Sequence, residues 1–115
     1  MKKVEAIFRP ERLPAVAGSL EARGFVGFTI SDVRGHGQSP EAVGEWRGQT
    51  YELHVTHKLS IELFVEDGEV EAAVAGIIEG AHTGAVGDGL VTVTDLAAVY
   101  NIRNGVPAPA APTAP

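Results

Sequence analysis

Residues 59–94 read LSIELFVEDGEVEAAVAGIIEGAHTGAVGDGLVTVT, and this stretch decides the fold. Leu59, Ile61, Leu63 and Val65 alternate with Ser60, Glu62 and Phe64, the period of a strand. Val70, Ala73, Val74, Ile77, Ile78 and Ala81 then recur at helical spacing as one apolar stripe. Asp67 stands where an N-cap would stand. Gly84, Gly87 and Gly89 follow the helix within six residues. Glycines so placed let the backbone turn tightly at positive φ, and such a turn can aim successive N–H groups at one anion, a phosphate for example. Val91 and Val93, alternating with Thr92 and Thr94, begin another strand.

The first half repeats this plan. Val4, Ala6 and Phe8 alternate with Glu5, Ile7 and Arg9 until Pro10 stops the strand. Leu13, Val16, Ala17 and Leu20 recur at helical spacing, and Gly24 supplies a C-terminal stop. Phe25 to Val33, aromatic and β-branched, reads as the second strand. From Arg34 to Thr50 no period survives, which predicts a long loop. Loops of that length in a small domain are usually functional or mobile. A short last strand is expected around Val99 to Arg103. The Pro- and Ala-rich tail, 104–115, reads as a solvated, disordered segment leaning to polyproline II. The order is strand, helix, strand, long loop, strand, helix, strand. This is an α+β, ferredoxin-like βαββαβ sandwich in one domain, 1–103.

Composition narrows the function. The chain has 115 residues, 44% hydrophobic and 21% charged, as expected of an ordinary globular domain. No apolar run approaches the ~18 residues that span a membrane. Lys2 and Lys3 are not followed by a signal-type apolar core, so a cytoplasmic protein is expected. With no cysteine, thiol catalysis, thiolate metal sites and disulfides are excluded. The formal charge of −6 argues against general nucleic-acid or anionic-membrane binding. It leaves room for a small anion in a local basic pocket.

At this point the motifs, in order, resemble those of the PII signal-transduction family across residues 1–105. Met1-Lys2-Lys3-Val4-Glu5-Ala6-Ile7 is similar to that family's opening strand. Thr29, with Val33-Arg34-Gly35-His36-Gly37, resembles the strand that enters its T-loop. Trp46-Arg47-Gly48-Gln49-Thr50-Tyr51 resembles the segment of its modified tyrosine, with Trp where the family usually has Tyr. Lys58 and Ile61-Glu62-Leu63-Phe64-Val65 match the next strand, and Thr83-Gly84 with Gly87-Asp88-Gly89 resembles the B-loop.

The resemblance implies a homotrimer with adenine nucleotides, AMP, ADP or ATP, in clefts between subunits. It implies a T-loop at about 36–52, a B-loop at about 82–90, and no catalysis. The implied nucleotide residues are Ile7, Gly27, Phe28, Thr29, Gly35, Gly37, Glu62, Phe64, Gly87, Asp88, Gly89 and Arg103. Ile7 and Phe64 would sandwich the adenine, with Thr29 and Glu62 at its edge. The B-loop N–H groups would take phosphate, with Arg103 arriving from a neighbour. Gln38, Ser39 and Lys58 are implied for a second effector, and Tyr51 for covalent modification. Mg²⁺ would enter with the phosphates. The partner implied is a transporter or metabolic enzyme engaged by the T-loop, an order–disorder switch.

Three departures point to a non-classical member. Leu90 stands where the family usually carries Lys or Arg, and Asn101 where it carries the first of two arginines. A charge-assisted hydrogen bond contributes roughly 1.5–3 kcal/mol. Two lost cations therefore weaken triphosphate binding by about 100-fold, and AMP or ADP should compete well with ATP. Ser39 replaces the glutamine that holds Mg²⁺ with ATP and 2-oxoglutarate, so sensing of 2-oxoglutarate is expected to be weak or lost. Some relatives of this kind are associated with inorganic-carbon uptake or carboxysomes and respond to adenylates and bicarbonate. A classical nitrogen sensor of ATP and 2-oxoglutarate is the other reading.

Read by themselves, Ile7 and Phe64 are core residues, and Arg103 is a solvated charge. An enzyme built on Asp88 or Asp95 with a histidine lacks any nucleophile-elbow or P-loop lysine motif. His54 and His57 lie three apart on a strand and point to opposite faces, which disfavours a dedicated zinc site among His36, His54, His57 and His82. A structural trimer with a dead cleft is the third rival.

Overall fold

The computed structural model describes residues 1–37, 43–46 and 49–108, with backbone alone over 43–46 and 49–54. Strand β1 (Lys2–Phe8) leads through a 3₁₀ turn at Pro10–Arg12 into α1 (Leu13–Ala22), and β2 follows at Thr29–Gly35. Strands β3 (Val43–Trp46) and β4 (Gln49–His54) precede β5 (Thr56–Val65). Helix α2 (Val70–Ala81) and β6 (Leu90–Asp95) complete the order.

The sheet runs β2-β5-β1-β6, every pairing antiparallel, with both helices on one face. This is the split βαβ arrangement the periodicity predicts. Alternation works as read. Val4, Ala6 and Phe8 of β1 and Leu59, Ile61, Leu63 and Val65 of β5 are buried against Val16 and Leu20 of α1 and Ala73 and Ile77 of α2. Burying each large aliphatic side chain contributes about 1.5–3 kcal/mol, so this face carries most of the stabilisation.

Glycine lets the two helices approach. A Cβ on Gly80 would lie 2.5 Å from Val16 Cα, and one on Gly76 would lie 3.3 Å from a Leu20 methyl. The apolar stripe of α2 is thereby turned. Ala73, Gly76, Ile77, Gly80 and Ala81 are buried, while Ile78, expected inside, is half exposed.

Several boundaries differ from expectation. Phe25 does not begin β2. It ends α1: its N–H reaches the Leu20 carbonyl at 3.0 Å, while the Gly24 N–H reaches Glu21 at 3.0 Å and Gly24 sits at φ 89°. These two bonds make a Schellman cap, and Phe25 packs into the core beside Leu20. Asp67 is not the N-cap before α2. It is the first residue of a 3₁₀ turn, Asp67–Glu69, that leads into α2 and is capped by Glu66 in a capping box with Glu69, whose carboxylate accepts the Glu66 N–H at 3.0 Å. Asp67 instead pairs with the N-terminal ammonium of Met1 at 3.2 Å.

The long loop contains secondary structure. β2 continues to Gly35, and β3 and β4 pair as an antiparallel hairpin with Trp46 opposite Gln49. A four-residue strand is too short to declare a period, which is why the sequence conceals it. The expected last strand at Val99–Arg103 is absent. The chain turns back there: Asn101 N–H bonds Val106 O at 2.9 Å, Gly105 N–H bonds Asn101 O at 2.8 Å, and Ala108 N–H bonds Val99 O at 2.9 Å. Only a bridge between Tyr100 and Pro107 remains of a ladder. Residues 104–108 thus return to the domain, with Ala108 buried, where a solvated tail was expected; 109–115 lie outside the described residues.

Candidate functional site

The turn between α2 and β6 is built around one carboxylate. Asp88 accepts the Thr83 hydroxyl, the Thr83 N–H at 2.9 Å and the Gly84 N–H at 2.9 Å. The Arg9 guanidinium adds an Nε contact at 3.4 Å. The Thr83 hydroxyl and N–H, with the Gly84 N–H and Arg9, hold Asp88 well below the usual carboxylate range, against the smaller opposing effect of burial. Gly84, Gly87 and Gly89 all take positive φ, at 91°, 100° and 105°. A Cβ on Gly89 would collide with the Ile7 carbonyl, so only glycine lets this turn lie against β1.

The nest at the start of the turn is therefore filled from within, by Asp88. A phosphate would have to use the later N–H groups, of Gly87, Asp88 and Gly89. The carbonyls beside them are engaged by cations: Val86 O by Arg9 Nη2 at 2.7 Å, Gly87 O by Lys58 Nζ at 2.8 Å. Lys58 is 7% exposed. Its ammonium carries three donors, one of which the Gly87 carbonyl takes.

The face of the sheet opposite the helices carries the other expected residues. Register sets Ile7 between Ser60 and Leu90, Glu62 between Thr29 and Glu5, and Phe64 beside Lys3. Alternation turns all of these away from the helices. Ile7 and Phe64, read alone as core, are only half-buried and lie on this open face. Glu62 has Lys3 as its partner at 3.8 Å. Ser60 donates to Glu5 at 3.4 Å.

The remaining residues scatter. Gly35 ends β2, with Lys58 Cγ 3.7 Å from where its Cβ would be. Gly37 lies just beyond, in open space. Gly27 is half-buried, Phe28 packs against the core and Thr29 is exposed. Arg103 sits on the exposed turn 102–104. Tyr51 is placed by backbone alone in β4; Gln38, Ser39 and Arg47 lie outside the described residues.

A cavity of about 330 Å³ opens under the turn on the helix side, among Val74, Ile77, Ala81 and Val91. It shares Ile7, Asp88 and Gly89 with the open-face site but is a different place. Among the described residues no cluster of three metal-ligating side chains occurs, and His57 pairs with Asp32 at 2.8 Å. No helix is long and apolar enough to cross a membrane, among the residues described.

Arg9 is the residue the sequence reading missed. It contacts a turn 77 and 79 residues away, and nothing in its local pattern signals that.

The model of the family described as nitrogen regulatory protein P-II matches residues 1–106. The nitrogen regulatory protein P-II of Microchaete diplosiphon is 42% identical over 105 residues, 91% of this chain and 94% of its own. Nitrogen regulatory protein P-II 2 of Methanothermobacter thermautotrophicus is 38% identical, with 91% of each chain covered. The crystal structure of Arabidopsis thaliana PII bound to citrate superposes with a TM-score of 0.75 at 34% identity, over 93% of this chain and 84% of that one.

Proposed function

The chain belongs to the nitrogen regulatory protein P-II family, and from that premise we propose that it is a signalling regulator that binds adenine nucleotides and reports them through its T-loop. The observation that carries this reading is the turn 83–89. Its backbone is preformed by Asp88, two of its carbonyls are taken by Arg9 and Lys58, and it lies against Ile7 of the open face. Phosphate would meet the N–H groups of Gly87, Asp88 and Gly89. Ile7 and Phe64 would flank the adenine, with Glu62 and Thr29 at its edge. Arg103 would complete the cleft from a neighbouring subunit of a homotrimer. The T-loop would engage a transporter or a metabolic enzyme, without catalysis by this chain.

Leu90 lies opposite Ile7 and is 58% exposed, so it brings no charge to the distal phosphates. AMP and ADP therefore compete well with ATP, and Mg²⁺ enters only with phosphates. Lys58 supports a second, anionic effector. Its burial and its bond to the Gly87 carbonyl suit a compact anion such as bicarbonate, which supports the alternative of a carbon-responsive member. The Arabidopsis relative's citrate is a carboxylate, which supports the alternative of a carboxylate such as 2-oxoglutarate.

Calorimetric titration with AMP, ADP and ATP, alone and with Mg²⁺–2-oxoglutarate or bicarbonate, tests both. ADP affinity within tenfold of ATP, altered by bicarbonate and not by 2-oxoglutarate, supports the proposal. Tight ATP binding enhanced by 2-oxoglutarate restores the classical sensor. Silence with every nucleotide leaves a structural trimer.

A further inference from the structure

Arg9 follows directly on β1, and its neighbour Pro10 opens the 3₁₀ turn, so its backbone is extended at φ −67° and ψ 134°. From there the guanidinium crosses to the turn 83–89 and is only 15% exposed. Nη2 donates to Val86 O at 2.7 Å, and Nε contacts Asp88 Oδ1 at 3.4 Å. Asp88 in turn gathers Thr83 and Gly84. One planar cation thus grips the turn at both its limbs.

A trans peptide points its C=O and its N–H in opposite directions. With the Val86 carbonyl held on Arg9, the Gly87 N–H faces away from Arg9. With the Gly87 carbonyl held on Lys58, the Asp88 N–H faces away from Lys58. Two cations, one just beyond β1 and one on β5, therefore set two successive N–H vectors in the part of the turn between the Asp88-bonded start and Gly89. Arg9 also offsets the Asp88 carboxylate, whose charge would repel a phosphate.

We propose that Arg9 is the positioning residue of the phosphate-binding turn, acting through the Val86 carbonyl and Asp88 rather than by touching the nucleotide. The inference rests on the adenylate reading and adds a determinant to it. Its consequence is selective: Arg9 governs the affinity that phosphate contributes and not the affinity of the nucleoside. Lysine is a poor substitute, because a point charge cannot engage two acceptors with the fixed fork of a guanidinium.

The test is ¹H–¹⁵N titration of the full chain with ADP and, separately, with adenosine, for the wild type, Arg9→Gln and Arg9→Lys. Arg9→Gln is expected to lose tenfold or more in ADP affinity while adenosine affinity stays within twofold. The Gly84 and Gly87 amide resonances should move in the free variant, while those of Val16 and Leu20 stay. Arg9→Lys should recover part of the ADP affinity. Unchanged ADP affinity in Arg9→Gln overturns the proposal, and so does an equal loss for ADP and adenosine, which makes Arg9 merely structural. Should Arg9→Gln not fold, Arg9→Lys decides, since full ADP affinity in that variant removes any need for the fork. A wild type that binds neither ligand is a different failure, that of the adenylate reading itself, and the role of Arg9 falls with it.

Discussion

Gly89 lies so close to Ile7 that a Cβ would collide with the Ile7 carbonyl and fall 2.8 Å from its carbon. That contact locks the turn 83–89 against β1, and Gly89 holds φ 105° to make it. Gly89→Ala therefore meets both a strained backbone and a backbone clash. Urea denaturation should show a loss of at least ~2 kcal/mol. A variant as stable as the wild type would contradict the described packing.

Gly80 is the helix–helix counterpart. Its missing Cβ leaves space beside the Val16 backbone, 2.5 Å from Val16 Cα. In Gly80→Ala the gain in helix propensity, about 1 kcal/mol, opposes an overpacking cost of ~1–3 kcal/mol. The backbone neighbour cannot rotate away, so net destabilisation is expected from thermal unfolding.

Asp88 has a pH signature. Its pKa is lowered in the folded chain, so the stability it adds is present above the ordinary Asp value of 3.8 and is lost as pH falls toward the folded value. The stability gap between wild type and Asp88→Asn should be flat from neutral pH down to about pH 5 and close below pH 4. Denaturation series across that range read it directly. A gap that instead widens on acidification would refute the assignment.

Leu90 offers a gain of function. It is 58% exposed, and Leu90→Lys restores a cation where the family usually has one. Under the adenylate reading, a charge-assisted bond of ~1.5–3 kcal/mol predicts an ATP affinity about ten- to a hundredfold higher, with AMP changed little. Calorimetry with the two ligands measures the difference.

Glu62 separates stability from binding. Its ion pair with Lys3, at 3.8 Å and a third exposed on each side, contributes about 0–1 kcal/mol. Glu62→Gln should leave the melting midpoint nearly unchanged. Under the adenylate reading, it should still weaken nucleotide binding in the same titrations.

What was legible in the chain was periodic. β1, β5 and α2 each carry enough residues to state a period; in β1 and β5 the buried face is the one the period picks out, while in α2 only Ala73, Ile77 and Ala81 of the expected stripe are fully buried. Phe25 and Asp67 misled because a local residue preference was read as an element boundary. Phe25 is apolar and aromatic, yet the Gly24 cap turns it into a helix-ending contact; Asp67 is a good cap, yet Glu66 and Glu69 cap each other. Ile78 misled because Gly76 and Gly80 rotate the helix toward α1. Composition alone does not show which neighbouring helix needs the space.

The sequence by itself determined the order of the two helices and the four strands of the main sheet, the face of that sheet that packs, and the place of the glycine turn. Those are consequences of side-chain spacing along one segment, and spacing is written in the chain. Only the tertiary structure decided how that turn is held. Arg9 and Asp88 stand 79 residues apart, and Lys58 and Gly87 stand 29 apart. No spacing rule joins them. They meet because antiparallel pairing of β1 with β5 and β6 brings the C-terminal end of β1 and the N-terminal ends of β5 and β6 to one end of the sheet, where a buried cation gains by finding a carbonyl.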